Sequence, residues 1–256
     1  MIAISLFYSN LCWFIASEWR INMKILITGG TGSLGTALLK RYSSENDYVI
    51  DFTYNKNIER AQRLAEQYHC NALKIDEISD DYDIVINNVG IVNSLVPCEE
   101  VLLDNWNETL QVNLTIPFLI IKKNLKHMKE QGWGRIVNIS SIYGVVAEED
   151  VTPYAVSKHG LIGLTRSVAK EYGRYGITCN SVCPATIESE MSDHIADHYT
   201  SNKDEKKQYF HALCDAVPIG RLVTPEEIAD FIFFVTSEQA AYINGATLMI
   251  DGGYNA

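Results

Sequence analysis

Seven short apolar runs, separated by stretches long enough to be helices, constrain this chain more than any other feature. They are KILIT (24–28), YVIDFTY (48–54), ALKID (72–76), DIVINN (83–88), GRIVNIS (134–140), ITCNSVC (177–183) and TLMID (247–251). Continuous apolar runs of this length suit strands buried on both faces, and such strands belong to parallel sheets with helices on each side. Between them, 33–43, 57–68, roughly 104–130, 154–173 and 225–237 read as helices. The expected fold is a doubly wound α/β domain of seven parallel strands in the order 3-2-1-4-5-6-7.

One connection breaks the rhythm. Only EISDDY separates Asp76 from Asp83, too little for a packed helix. In this strand order the link crosses about three strand spacings of ~4.8 Å and returns along ~17 Å of strand, roughly 22 Å in all. Six extended residues reach about that far. The crossover is therefore expected to be extended and to leave part of one sheet face thinly covered, with the N-terminal segment or a partner subunit as candidate covers.

A chain of 256 residues with 47% hydrophobic content holds one domain with a sizeable core. Its net charge of -11 argues against nucleic acid or an anionic membrane as partner. The six cysteines are scattered and read as reduced thiols of a cytoplasmic protein, with Cys179 and Cys183 packing in a strand. Residues 1–22 are apolar but lack a basic start, are interrupted by Ser9 and Asn10, and are shorter than a spanning helix needs. They read as an extension from an upstream start codon, with a targeting or docking segment as the alternative and the domain proper at 23–256.

TGGTGSLG (28–35) follows the first run and opens the first helical stretch. In that context glycines bind a dinucleotide, as in a Rossmann-type fold. Gly29 makes the turn, Gly32 lets the backbone approach the pyrophosphate, Gly35 allows close helix packing, and the helix start offers free N–H groups. A phosphate-binding NTPase loop is excluded, because no lysine follows at the required place. Asp51 falls inside the second strand, too early to reach the adenosine ribose. Thr53, Asn55 and Lys56 stand where a 2′-phosphate would be received, which favours NADP(H) over NAD(H).

Tyr154 and Lys158 lie four apart and so share one helix face. A phenol titrates near pH 10, and a neighbouring cation favours its ionised form. The pair suits acid/base chemistry; taken alone, it is more often an ordinary helix surface pair.

With the glycine loop, NNVG (87–90), VNISS (137–141), Tyr154 with Lys158 and IDGG (250–253), residues 23 to 256 resemble the short-chain dehydrogenase/reductase family. The likeness is greatest to its single-domain branch of 3-oxoacyl-ACP reductases, enzymes of fatty acid biosynthesis, and related carbonyl reductases. The resemblance implies that Tyr154 is the acid/base, that Lys158 lowers its pKa and binds the nicotinamide ribose, and that Ser141, with Ser140 as its alternative, hydrogen-bonds the substrate oxygen. Asn113 would hold a water linking the lysine to solvent. Toward the cofactor it implies Thr28, Gly29, Thr31, Gly32, Ser33, Leu34 and Gly35 in the loop, and Tyr54, Asn55 and Lys56 after the second strand. Asp76 would meet the adenine, Asn88, Val89 and Gly90 the adenosine side, and Pro184, Ile187 and Ser189 the nicotinamide end. Departures are the loop spacing, closer to a sugar-nucleotide branch, Val89 for the usual alanine, Ala185 for the usual glycine, and the missing helix after Asp76.

Residues 188–217 fall where that family carries a mobile substrate lid. His194 and His198 share a helix spacing but no third metal ligand accompanies them, so they read as a solvated face and no metal is expected. The implied substrate is a small-molecule carbonyl, free or bound to an acyl carrier protein. Lys122, Lys126 and Lys129, with Arg135, Arg166 and Arg174, offer a basic face for such a carrier, or a solvated or subunit face. A homo-oligomer, tetramer or dimer, on the helices at 104–130 and 154–173 is implied as well. Two other readings stand beside the reductase: a sugar-nucleotide epimerase or dehydratase, which normally needs a further substrate domain, and a non-catalytic dinucleotide-binding scaffold.

Overall fold

The structure is a computed structural model that describes residues 22–256. The N-terminal extension, apart from Asn22, lies outside the described residues. Seven strands, β1 (Met23–Ile27), β2 (Tyr48–Thr53), β3 (Asn71–Leu73), β4 (Ile84–Asn87), β5 (Gly134–Ile139), β6 (Ile177–Pro184) and β7 (Thr247–Ile250), form one parallel sheet in the order β3-β2-β1-β4-β5-β6-β7. Successive strand residues point to opposite faces. Ile25, Ile27, Ile50 and Phe52 therefore meet one helical layer, α1 (Ser33–Ser43), α2 (Ile58–Tyr68) and α8 (Pro225–Val235). Leu26, Val85 and Ile136 meet the other, α4 (Ile116–Gln131) and α5 (Thr152–Tyr172). Two buried faces are why the runs are apolar without alternation.

The stretch at 104–130 is continuous but not uniform. A helix α3 (Leu103–Leu110) passes through a π-helical turn at Gln111–Thr115 into α4. Pro117, in the first turn of α4, has no N–H to donate backward, which weakens the α pattern just upstream. Asn113 sits in that turn, fully buried. The lid segment forms α6 (Glu190–Tyr199) and α7 (Lys203–Asp215).

The third strand is shorter than the run ALKID. It pairs with β2 only from Asp51↔Asn71 to Thr53↔Leu73, and then turns at Ile75–Glu77, where the Glu77 carboxylate accepts from the Lys74 N–H. From Ile78 to Asp83 the crossover is free of helix. The expectation of a thinly covered sheet face is corrected by this same segment. Ile78 and Tyr82 are buried against β1 and β4, and the Tyr82 hydroxyl donates to Asp51 Oδ2 at 2.6 Å. Asn71 Nδ2 donates to the other Asp51 oxygen at 2.7 Å, while Lys24 Nζ lies 4.8 Å from the centre of the Tyr82 ring and 2.7 Å from Asp81. Of the apolar side chains on β2, only Val49 is left exposed.

The five described cysteines are free, with Cys179 and Cys183 buried in β6. No helix among the described residues is long and apolar enough to cross a membrane.

Tyr82→Phe removes the buried hydroxyl bond to Asp51 and leaves Oδ2 only the Lys24 ammonium at 3.9 Å, which should cost about 1–3 kcal/mol in urea unfolding. Val49→Ala, on the exposed edge, should cost under about 1 kcal/mol. Equal effects would show that Tyr82 contributes packing only.

Candidate active site

A groove of about 700 Å³ runs along the carboxyl ends of the strands. Its floor at one end is the glycine loop. Gly29 takes a φ of +69°, a conformation that glycine adopts without steric cost. A Cβ on Gly35 would stand 2.2 Å from the Gly29 carbonyl oxygen, so only hydrogen lets the first turn of α1 come this close. Gly32 caps α1 with no side-chain hydrogen bond, so the first-turn N–H groups are offered to the groove. Around the loop, Thr53 Oγ1 accepts from Gly29 N at 3.0 Å, and Thr28 Oγ1 accepts from Asn88 N and Val89 N. This cradle of free N–H groups, with no side chain filling it, fits a dinucleotide pyrophosphate.

Of the loop residues named from sequence, Gly29, Thr31, Gly32, Ser33, Leu34 and Gly35 line the groove. Thr28 does not; it is fully buried and acts as the brace just described. Tyr54, Asn55 and Asp76 line the adenosine end, Asn88 and Val89 the stretch beside the glycine loop, and Gly90, Pro184, Ile187 and Ser189 the other end, Gly90 lying against Lys158. Lys56 is a correction. The chain bends there into the cap of α2, where Asn57 Oδ1 accepts from Arg60 N, and Lys56 is exposed and off the groove. Lys74 and Ile75 line the groove instead.

At the other end the structure brings together the four residues that the resemblance singles out. Ser141 follows β5, and its Oγ accepts from Tyr143 N at 3.2 Å. Tyr154 lies in the first turn of α5, with its half-buried ring in the groove wall. Lys158, one turn on, is 3% exposed; its Nζ donates to the Ile139 carbonyl at 2.8 Å and lies 5.4 Å from the centre of the Tyr154 ring. Asn113 stands behind them and does not line the groove. Its Oδ1 accepts from Ile91 N at 2.8 Å, and its Nδ2 donates to Ile91 O and to Ser157 Oγ, each at 3.0 Å. Both amide protons are thereby used, which leaves an acceptor lone pair for a water.

Electrostatics corrects one expectation. Lys158 does not lower the Tyr154 pKa here. Burial pushes the phenol up to about 12, against a hydrogen bond to Ser141 that pulls it down. Burial also lowers Lys158, to about 8. The ammonium faces the Ile139 carbonyl rather than the phenol oxygen, so desolvation outweighs attraction.

Beyond Tyr154 the wall is apolar. Val92, Val151, Tyr143, Met191 and Ile195 pack around it, the last two from α6. Sequence reading did not single out these side chains; the apolar spacing of Met191 and Ile195 within the lid was the available signal. Ser140, the alternative to Ser141, is buried and donates to the Lys158 carbonyl. The basic face at 122–129 is misplaced for a ligand of this groove, since α4 begins beside it at Ile116 and runs to the opposite edge of the sheet. There Lys129 and Arg174 lie over the Tyr175 ring and Lys126 approaches Glu130. His194 and His198 are exposed, and no group of metal-binding side chains exists among the described residues.

A family model described as enoyl-(acyl carrier protein) reductase matches residues 65–255. The 3-oxoacyl-(acyl-carrier-protein) reductase of Aquifex aeolicus (strain VF5) is 34% identical over 92% of this chain and 99% of its own length. D-threitol dehydrogenase of Mycolicibacterium smegmatis is 31% identical over 93% and 95%. Among solved structures, a variant of actinorhodin polyketide ketoreductase with NADPH superposes with a TM-score of 0.84 at 27% identity, covering 92% of this chain and 98% of that one. A short-chain dehydrogenase/reductase family oxidoreductase from Burkholderia thailandensis gives 0.80 at 25% identity, covering 91% and 92%.

Gly35→Ala sets a methyl group against backbone that cannot yield. It should cost about 1–3 kcal/mol of stability and abolish dinucleotide binding, read by thermal melting and by calorimetry. Unchanged melting and binding would show that the loop tolerates a wider approach.

Proposed function

Given that the chain belongs to the short-chain dehydrogenase/reductase family, a family of oxidoreductases, we propose that it is an NADP(H)-dependent carbonyl reductase with Tyr154, Lys158, Ser141 and Asn113 as its catalytic groups. The observation that carries this reading is the placing of the Tyr154 hydroxyl and the Lys158 ammonium in the same groove as the glycine cradle. NADPH in the ketoreductase relative supports the choice of cofactor, as does the position of Asp51, held beneath the sheet by Tyr82 and Asn71 and away from the ribose.

Bound NADPH supplies the hydride that reduces the carbonyl carbon. The chain's part is the proton and the orientation. Tyr154, kept protonated by its burial, donates to the substrate oxygen. Ser141 Oγ accepts from Tyr143 N and is hydrogen-bonded to the Tyr154 hydroxyl, so its proton lies beside the same oxygen and turns to it when the substrate enters. Lys158 restores the tyrosine proton, and the free lone pair of Asn113 Oδ1 holds the water that restores the lysine's.

The substrate proposed is a small neutral carbonyl with an apolar flank, fitting Val92, Val151, Met191 and Ile195. Glu148, Glu149 and Asp150 immediately precede Val151 and have no basic ion-pair partner among the described residues. Burial, reinforced by the Glu148 charge, pushes the groove-lining Tyr143 phenol up. Such an entrance repels an acidic carrier. The carrier-bound 3-oxoacyl thioester is the second reading, favoured by the Aquifex relative. Residues 188–217 act as the lid in either case. Exposed Leu102, Leu103, Phe118, Leu119 and Val156 on or beside α3, α4 and α5 favour a homo-oligomer.

Two measurements test the chemistry. Tyr154→Phe should lower ketone reduction by about 10²-fold or more while NADPH binding stays intact; full activity would end the mechanism. The Lys158 ammonium is present below its pKa of about 8 and lost above it, whereas the Tyr154 proton persists to about 12. Because Lys158 acts in restoring the tyrosine proton after transfer, kcat for reduction should fall, by up to about tenfold per pH unit above pH 8. A profile flat to pH 10 would assign the proton supply to another group. Turnover of acetoacetyl thioesters in preference to simple ketones would replace the first substrate reading by the second.

A further inference from the structure

We propose that Lys74, from the turn after β3, is the residue that recognises the ribose 2′-phosphate of NADP(H). This rests on the dinucleotide reading above and replaces Lys56 in that role.

The argument starts from what is missing. Between Gly29 and Gly35 the loop holds no basic residue. Thr53 is engaged with Gly29 N, and Lys56 is off the groove. Among the described residues lining the groove, only Lys74 and Lys158 carry positive charge. Lys158 is fixed at the opposite end by Ile139.

Lys74 has the position and the free valence. The end of β2 is where a dinucleotide fold brings the adenosine ribose, and Lys74 stands beside it. Its Nζ lies 4.2 Å from the centre of the Tyr54 ring and donates to the Asn55 carbonyl at 2.5 Å. An ammonium has three protons, and one is accounted for by Asn55. No carboxylate among the described residues forms an ion pair with it. The nearby Glu77 carboxylate is occupied with the Lys74 main-chain N–H, and Glu190 at the groove rim is paired with Arg60 at 2.7 Å. The result is a half-buried cation, held over an aromatic face and without a counter-ion, at the one place where NADP and NAD differ. A dianionic phosphate there accepts charge-assisted hydrogen bonds that a ribose hydroxyl does not replace.

The test uses full-length protein and ligands that carry no redox chemistry. Adenosine 2′,5′-bisphosphate and 5′-AMP are titrated calorimetrically into wild type, Lys74→Met, Lys74→Arg and Lys56→Met at physiological salt. Wild type should prefer the bisphosphate. Lys74→Met, which keeps an apolar stem over Tyr54, should weaken the bisphosphate tenfold or more and leave AMP within twofold. Lys74→Arg should restore most of the preference, and Lys56→Met should leave both ligands within twofold. Equal weakening of the two ligands by Lys74→Met, or loss of the preference through Lys56→Met instead, overturns the assignment. A wild type that binds both ligands equally overturns it while the dinucleotide reading stands. A wild type that binds neither overturns that reading as well.

Discussion

A buried ammonium is the constraint on which the site depends. Lys158 is almost without solvent, and a lone charge in such a place is tolerated only if a fixed dipole answers it. The Ile139 carbonyl does so, at the last residue of β5. That one bond ties the first turns of α5 to the strand edge and so sets the height of Tyr154 above the sheet. It also explains the glycine at position 90. A Cβ there would stand 3.3 Å from Nζ, so the loop after β4 passes over the ammonium with no side chain between them. The same desolvation that makes the lysine easy to deprotonate makes the phenol hard to deprotonate. On the proposed mechanism, proton donor and proton source are thereby kept in the states that carbonyl reduction needs at neutral pH.

Much of this architecture was legible in the sequence, for reasons that are local. Runs such as KILIT and DIVINN carry no polar alternation because both sheet faces are covered, so strand type and connectivity followed from them. The shortness of EISDDY was readable as a distance. The Tyr154 and Lys158 spacing was readable as a shared helix face. What stayed hidden depended on contacts between distant parts of the chain. Tyr82 and Asp51 are 31 positions apart, and nothing in either neighbourhood announces that a tyrosine hydroxyl would meet the aspartate and cover the face a helix would have covered. The charge balance at Tyr154 was hidden as well. Spacing showed a cation nearby, but the direction of its Nζ, toward a backbone carbonyl, decides that burial outweighs it.

Lys56 and Lys74 show the limit at finer scale. Both follow a strand end, and Lys56 has the better sequence position for a phosphate. The bend into the Asn57 cap of α2 carries Lys56 into solvent, while the early end of β3 turns Lys74 back over Tyr54. Where β2 and β3 end therefore places the two side chains, and the local sequence does not mark those ends.

The short crossover links these features. With no helix after β3, the segment from Lys74 to Asp83 must close the sheet and finish the groove at once. Its beginning lays Lys74, Ile75 and Asp76 along the adenosine end. Its end buries Ile78 and Tyr82 against β1 and β4, with Lys24 and Asp81 pinning the exit. A helix in this place would separate the two tasks, since its own hydrogen bonds would hold the cover whatever happened at the groove. Here the cover has few internal backbone bonds, and its order derives from Asp51, Lys24 and Glu77.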